Sequence, residues 1–371
     1  MAALTKAPSL TLGIEEEFQL IDPVTRDLKS HILQIVGDGK TLERDAVRPE
    51  IHQSVAEVGT GICRDIAEAD REVRALRRTL RDRATEQGLR IAASGTHPFA
   101  SWRDQLITPN ERYDRLIEEM QLIARANLIF GLHVHIGIED RDLQIQIMNE
   151  FRYFLPHLLA LSTNSPFWLG ADTGLKSFRT KVFDRYPRTN IPDSFADYSE
   201  FQNFVNLLIA TNCIDTGRKI WWDIRPHPVF PTLEVRVCDI PMRAEETICL
   251  AALMQAIAAK LYKLRAKNLG FRQYRRALLM ENKWRASRYG LNGKLVDFGR
   301  AEEVPERQLI LELLSFIDDV VDDLGTRGQC EYVHTILEQG SGADRQLAVF
   351  EQTGDIKAVV DYICDETVRG L

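Results

Sequence analysis

Glu15 and Glu17 stand two residues apart, as do His133 and His135, and both pairs sit in stretches that alternate like β-strands. Glu50 with Glu57, Asp223-Ile224-Arg225 and Glu234-Val235-Arg236 add further closely spaced acids and guanidinium groups. Alternation turns side chains at i and i+2 toward one face, so like charges are brought together there. Crowded carboxylates are costly in a folded chain unless a cation or a proton compensates them. The chemistry implied is a carboxylate-rich site for hard divalent cations, with arginines able to hold a polyanion such as nucleotide phosphate.

Each group also has a plainer explanation. Glu15 and Glu17 could be solvated acids on an exposed strand face, since surface glutamate is common. His133 and His135 could be hydrogen-bonded structural imidazoles. They could also be zinc ligands, although eight scattered histidines give few nitrogen donors and the surrounding glutamates favour magnesium or manganese. Glu234, Arg236 and Arg225 could form an internal ion network instead of a metal and phosphate site. Glu50 and Glu57 are seven residues apart, so both reach one site only if the backbone turns between them. His227 shares a face with Arg225 and is placed behind the site.

The elements that must position these groups follow from the periodicity. Leu10, Leu12, Ile14, Phe18 and Leu20 form one face of the first strand, and Thr11, Gly13, Glu15, Glu17 and Gln19 the other. Glu16 falls on the apolar face and needs a partner of its own. Asp65 to Glu86 reads as a helix with Ile66, Ala69, Val73, Leu76 and Leu80 as its stripe, stopped near Gly88. Leu89 to Ser94 reads as a strand, Asn110 to Asn127 as a helix capped by Asn110, and Leu128 to Ile138 as the strand carrying both histidines. A helix over Asp140 to Leu161 precedes a Gly/Pro-rich segment, Ser165 to Asp193, expected to be a long ordered loop or lid. Trp221 to His227 and Thr232 to Cys238 read as two strands joined across Pro228 to Pro231. The rest is mostly helical from about residue 241. No βαβ rhythm and no Gly-rich phosphate loop occur, which favours an α+β fold around an antiparallel sheet, in a single catalytic domain over residues 1–371.

Bulk properties narrow the partners. The 371 residues are 44% apolar and 27% charged, the profile of a chain with a substantial core. A formal net charge of −7 argues against nucleic-acid or anionic membrane partners. Residues 1–11 lack a leader-like apolar run, and the apolar stretch near Ile248 to Leu261 is shorter than the roughly 20 residues of a membrane span. Six scattered cysteines read as reduced thiols, and the expected location is the cytoplasm.

Taken in order, Gly13-x-Glu15-x-Glu17-Phe18, the spaced glutamates, Gly131-x-His133-x-His135 and Glu234-x-Arg236 resemble the catalytic sheet of glutamine synthetase. With Gly95-Thr96-His97-Pro98-Phe99, Trp222-Asp223-Ile224-Arg225-Pro226 and Trp284-Arg285-Ala286-Ser287-Arg288-Tyr289-Gly290-Leu291, the chain resembles bacterial carboxylate-amine ligases of the glutamate-cysteine ligase type 2 family. The resemblance implies a glutamine synthetase-like catalytic domain whose antiparallel sheet forms a funnel-shaped site flanked by helices. It implies Glu15, Glu17, Glu50, Glu57, His133 and Glu234 as ligands of Mg²⁺ (Mn²⁺ as alternative), and His135 facing the ATP phosphates. Arg225 and Arg236 would neutralise the transferring phosphoryl group, and Arg285 and Arg288 would hold a substrate carboxylate. The implied reaction makes an amide through an acyl phosphate, with glutamate as acid and cysteine as amine, and weak activity if the physiological pair differs. A homodimer is compatible with the resemblance. Two alternatives stay open: a metal-dependent amide hydrolase, and a catalytically silent nucleotide-binding protein on the same scaffold.

Overall fold

The alternating segment becomes the central strand of the sheet, β1 (Leu12–Ile21). The computed structural model describes residues 7–36 and 47–371; the first six residues of the stretch read for a leader lie outside them. Six more strands complete the sheet: β2 (Val47–Pro49), β3 (Val55–Gly59), β4 (Arg90–Ala92), β5 (Gly131–Gly137), β6 (Ile224–Pro226) and β7 (Thr232–Asp239). Their order is β2-β3-β1-β5-β7-β6, with β4 pairing the end of β1 beyond the reach of β5. Every pair is antiparallel. This is the expected α+β architecture, with two short hairpins apart from the main sheet.

One face of β1 is core. Leu12, Ile14, Phe18 and Leu20 are buried, and each such side chain contributes roughly 1.5–3 kcal/mol of burial. The helices α1 (Ile66–Glu86) and α2 (Ala244–Ala266) cover that face, joining Leu12 and Ile14 with Ile66, Val73, Ile248 and Leu253 in one apolar cluster. Leu309, Ile310 and Ile317 of the C-terminal helices belong to the same cluster. Helix α1 starts where Asp65 accepts a hydrogen bond from the Glu68 N–H (2.8 Å) and is followed by Gly88 at φ +68°. Its buried stripe takes Arg77 where the periodicity suggested Leu76.

Glu16 explains that substitution. The carboxylate, on the apolar face, meets the fully buried Arg77, which donates from Nε to Oε2 (3.0 Å) and from Nη2 to Oε1 (2.5 Å). Thr247 of α2 donates to Glu16 Oε1 (2.7 Å), and Arg77 Nη1 reaches the Met242 carbonyl (2.6 Å). The misplaced acid is therefore a polar bolt joining β1, α1 and the start of α2.

Other expectations need adjusting. The helix expected over 110–127 breaks at Gln121 (φ +52°) into Glu111–Met120 and Leu122–Arg125. The helix expected over 140–161 becomes Arg141–Phe151 and Leu155–Ser162 with a tighter turn between, where Pro156 lacks the N–H a continuous helix would use. The apolar stretch judged too short to span a membrane lies within the 23-residue α2, which is long and apolar enough by length and composition, yet 78% of its most apolar window is buried inside the fold. The mostly helical C-terminal part also contains a hairpin, Lys294–Asp297 with Glu302–Pro305. The segment 165–193 carries the short helix Arg179–Phe183 and is pinned to the end of β7, where Ser165 and Ser177 donate to Asp239 (2.6 and 2.8 Å). Arg179, Phe183 and Tyr186 of this segment line the cavity described next.

A candidate acid, histidine and arginine site

Antiparallel pairing sets directly opposed residues on the same face. Glu15 is opposite His133, Gly13 opposite His135, His135 opposite Glu234, and Glu234 opposite Arg225. On the other side of β1, Glu17 is opposite Glu57, which is opposite Arg48. Six strands thus turn these side chains to one face, opposite the apolar core. The register of β5 against β7 shifts between Leu132 and Val134, so Arg236 and Val237 together oppose His133. The bulge brings Arg236 Nη1 to 3.4 Å from His133 Nδ1.

These residues line a cavity of about 410 Å³, together with Glu50, His227, Phe230 and Arg179. Glu50 and Glu57 both reach it because the chain turns between β2 and β3, with Glu50 accepting the Ile51 N–H at the start of the turn (2.7 Å). Asp223, by contrast, leaves the site and pairs with the buried Lys283 (2.8 Å).

The electrostatics divide the cavity. Burial, with help from the Glu50 charge, raises Glu17 to about 7 against the pull of Arg179, even though the Gly131 N–H donates to its Oε2 (2.6 Å). Burial and the neighbouring Glu15, Glu50 and Glu17 push Glu57 well above the carboxylate range, and burial raises Glu50. Toward β7 the signs reverse. Burial alone would raise Glu234, but Arg236 and Arg225 outweigh it and hold the carboxylate well below its usual range. Arg225 donates Nε–H to Glu234 Oε2 (2.8 Å), and Arg236 Nη1 is ion-paired with Oε1. Burial would likewise raise Glu15, but its contacts with His133 (3.4 Å) and His135 (3.8 Å) overcome that and lower it. Burial and Arg236 lower His133 to about 4, leaving the neutral imidazole a metal requires.

Ligand atoms of Glu15, His133 and Glu234 lie within 4.8 Å of one another. Small side-chain shifts would bring them to the metal–ligand distances of about 2.0–2.2 Å that one shared cation requires. Only one imidazole belongs to this group: His135 is held by Thr232 (Nδ1 to Oγ1, 3.0 Å). The donor set is oxygen-rich, which suits Mg²⁺ or Mn²⁺ better than the zinc alternative.

Three residues lie elsewhere than the motifs suggested. Arg285 and Arg288 do not line this cavity. Arg285 forms half-exposed ion pairs with Glu281 (2.9 Å) and Glu303 (2.5 Å), and the Arg288 guanidinium lies over the Tyr289 ring. The helix Arg276–Tyr289 turns Lys283 inward to Asp223, which carries both arginines to other faces. His227, placed behind the site by sequence, lines it: its ring stacks on Phe230 (4.6 Å) and meets His135 edge-on (5.3 Å). Arg179, Tyr186 and Asn127 were missed because Arg179 opens a helix of only five residues and the other two lie just past helix ends, where no periodicity points at the cavity.

The family model described as glutamate-cysteine ligase family 2 (GCS2) matches residues 11–362. A protein of Solibacter usitatus named "Putative glutamate--cysteine ligase 2" is 62% identical over 365 residues, covering 98% of this chain and 95% of its own. A protein of the same name from Herpetosiphon aurantiacus is 55% identical over 361 residues, covering 97% and 94%. Among solved structures, glutamate–cysteine ligase from Francisella tularensis in complex with AMP superposes with a TM-score of 0.70 at 14% identity, covering 99% of this chain and 90% of that one. A bifunctional glutathione synthetase from Pasteurella multocida gives 0.74 at 13% identity, covering 96% of this chain and 52% of that one. At such identities the structures establish a shared fold.

Proposed function

The chain belongs to glutamate-cysteine ligase family 2, and from that membership we propose that its cavity joins a carboxylate to an amine at the expense of ATP. It is an ATP-dependent carboxylate–amine ligase, with glutamate and cysteine as the pair the family name indicates. The observation that carries the reading is the convergence of Glu15, His133 and Glu234 beside Arg225 and Arg236 in one cavity.

A carboxylate is a poor electrophile, and here it must approach a polyanion, so the site has to offset like-charge repulsion before chemistry can begin. Glu15, His133 and Glu234 would hold Mg²⁺ or Mn²⁺, with Glu17, Glu57 and Glu50 completing the acid set. Bound there, the cation supplies charge neutralisation between the two anions. Arg236 is suited to the transferring phosphoryl group: it is fixed by Glu234, and its Nε has no partner among the described residues. Arg225 is more committed, since its Nη1 also donates to the Ile220 and Arg218 carbonyls; its part is to hold Glu234 and lend charge. His135, with His227 and Phe230 beside it, lies toward the nucleotide. Holding acid, phosphate and amine together supplies much of the remaining acceleration. The ATP requirement and six free cysteines support placing the protein in the cytoplasm.

The test is glutamate and hydroxylamine with ATP and Mg²⁺, which should release ADP and hydroxamate in equal amounts. Neither product across a broad acid panel would overturn the reading. A pH dependence follows from Glu17. Its folded-state value is raised to about 7, so below that pH a cation must displace a proton to use this ligand. The Glu17 contribution to Mg²⁺ affinity should climb by up to about tenfold per pH unit below 7 and level off above it, with protons displaced from Glu57 and Glu50 adding to the slope. Calorimetry between pH 5.5 and 8.5 checks this, and an affinity independent of pH would contradict it.

A further inference from the structure

We propose that Arg179, with Tyr186 and Asn127, forms the subsite for the end of the acid substrate that is not phosphorylated, and that this end is an α-amino acid group. The assignment rests on the ligase reading and adds to it the chemistry of one substrate.

Arg179 is unusual in this cavity. Its side chain is nearly all buried (3% exposed), yet no carboxylate among the described residues lies within ion-pair distance. Its two hydrogen bonds, to the carbonyls of Val237 and Arg236, are long (3.5 and 3.4 Å), and its Nε has no partner. A buried guanidinium with an unused donor is costly unless an anion completes it. The fold nevertheless fixes it there. The Ser165 hydroxyl accepts the Arg179 N–H (3.0 Å), and the loop is anchored on Asp239. Gly131 makes room: a Cβ at that position would stand 2.3 Å from Arg179 Nη2.

Two more unpartnered polar atoms belong to residues of the same cavity, the Tyr186 hydroxyl and Asn127 Oδ1. Arg185 ties their segments together by donating to the Ala126 carbonyl (3.1 Å). A guanidinium, a phenol and an amide oxygen match a carboxylate with an adjacent ammonium: two donors for the anion and an acceptor for the cation. A phosphate would leave the amide oxygen unused.

Position supports the same occupant. His135, His133 and Gly131 are successive site-face positions of β5, so Arg179 lies about 13 Å along the strand from His135, with His133 midway. Phosphoryl transfer places the attacking and leaving oxygens roughly in line. With the nucleotide at the His135 end, the acid enters from the Arg179 end.

The experiment measures KM for glutamate and for ATP, separately, in wild type, Arg179→Gln and Tyr186→Phe, with calorimetric titration of glutamate as a readout independent of turnover. Tyr186→Phe removes only a hydroxyl that bonds nothing among the described residues, so it should keep the fold even if Arg179→Gln does not. Glutamate KM and Kd should rise roughly 10- to 100-fold in Arg179→Gln and roughly 3- to 10-fold in Tyr186→Phe, with ATP KM within about twofold. Wild type should prefer glutamate to butyrate, which lacks the α-amino acid group, and Arg179→Gln should lose most of that preference. Unchanged glutamate constants in Tyr186→Phe, or a rise in ATP KM equal to that for glutamate, would overturn the assignment. A wild-type protein that makes no ADP with any acid would instead overturn the ligase reading itself.

Discussion

Glu234→Gln is expected to lower kcat/KM by on the order of 10³-fold and also to lower the melting temperature of the metal-free protein. The first effect follows from the triad of ligand atoms to which Glu234 belongs and from its grip on Arg236, which would otherwise lose its orientation. The second follows from charge. Glu234 is buried between Arg225 and Arg236, and a neutral amide would leave two adjacent guanidinium groups uncompensated, at a cost of about 3 kcal/mol. Crowded carboxylates by themselves would give the opposite sign, relief of repulsion, but this acid faces two arginines. Relief is expected at Glu57→Gln. Burial and three neighbouring acids raise Glu57 well above its unfolded value of 4.5, so the wild-type acid costs stability progressively as pH climbs past that value. Glu57→Gln should therefore melt higher than wild type at pH 8, with the gain disappearing near pH 4.5. Thermal melts of both variants at the two pH values decide the matter. A Glu234→Gln protein as stable as wild type would sink the charge argument.

That contrast shows where the sequence was informative. Strand alternation put Glu15, Glu17, His133, His135, Glu234 and Arg236 on faces, and antiparallel pairing then needed only the right register to bring the faces together. Motif order supplied the family. Two things were hidden. Contacts between short, distant segments leave no periodic trace, so Arg179, Tyr186 and Asn127 went unseen although each contributes a polar atom with no partner among the described residues. Motif order also does not give position: Arg285 and Arg288 sit in a recognisable signature, but their helix turns Lys283 inward and neither arginine lines the cavity. Asp223, which shares a strand with Arg225, stands outside the site. It is in fact the partner of that lysine, which anchors the helix Arg276–Tyr289 behind the strand carrying Arg225.

The same reasoning applied to Glu16 gives the largest expected stability change. Arg77→Met should destabilise the protein by about 3–5 kcal/mol, because it strands a buried carboxylate among apolar neighbours. Arg77 also spans to the Met242 and Pro241 carbonyls, so two backbone acceptors at the entry to α2 lose their donors with it. The alternation of β1 sets Glu15 and Glu17 on the opposite face from Glu16, so the bolt holds the strand without entering the cavity. Its removal should therefore leave substrate KM values within a few-fold at temperatures where the variant stays folded. Replacing both partners, Glu16→Leu with Arg77→Met, removes the stranded charge and fills the space with apolar volume, which should recover most of the loss. Urea unfolding of the two single variants and the double variant measures the coupling. A single variant costing under about 1 kcal/mol, or a double variant no better than the worse single, would show that Glu16 and Arg77 do not act as a unit and that β1 is held by apolar packing alone.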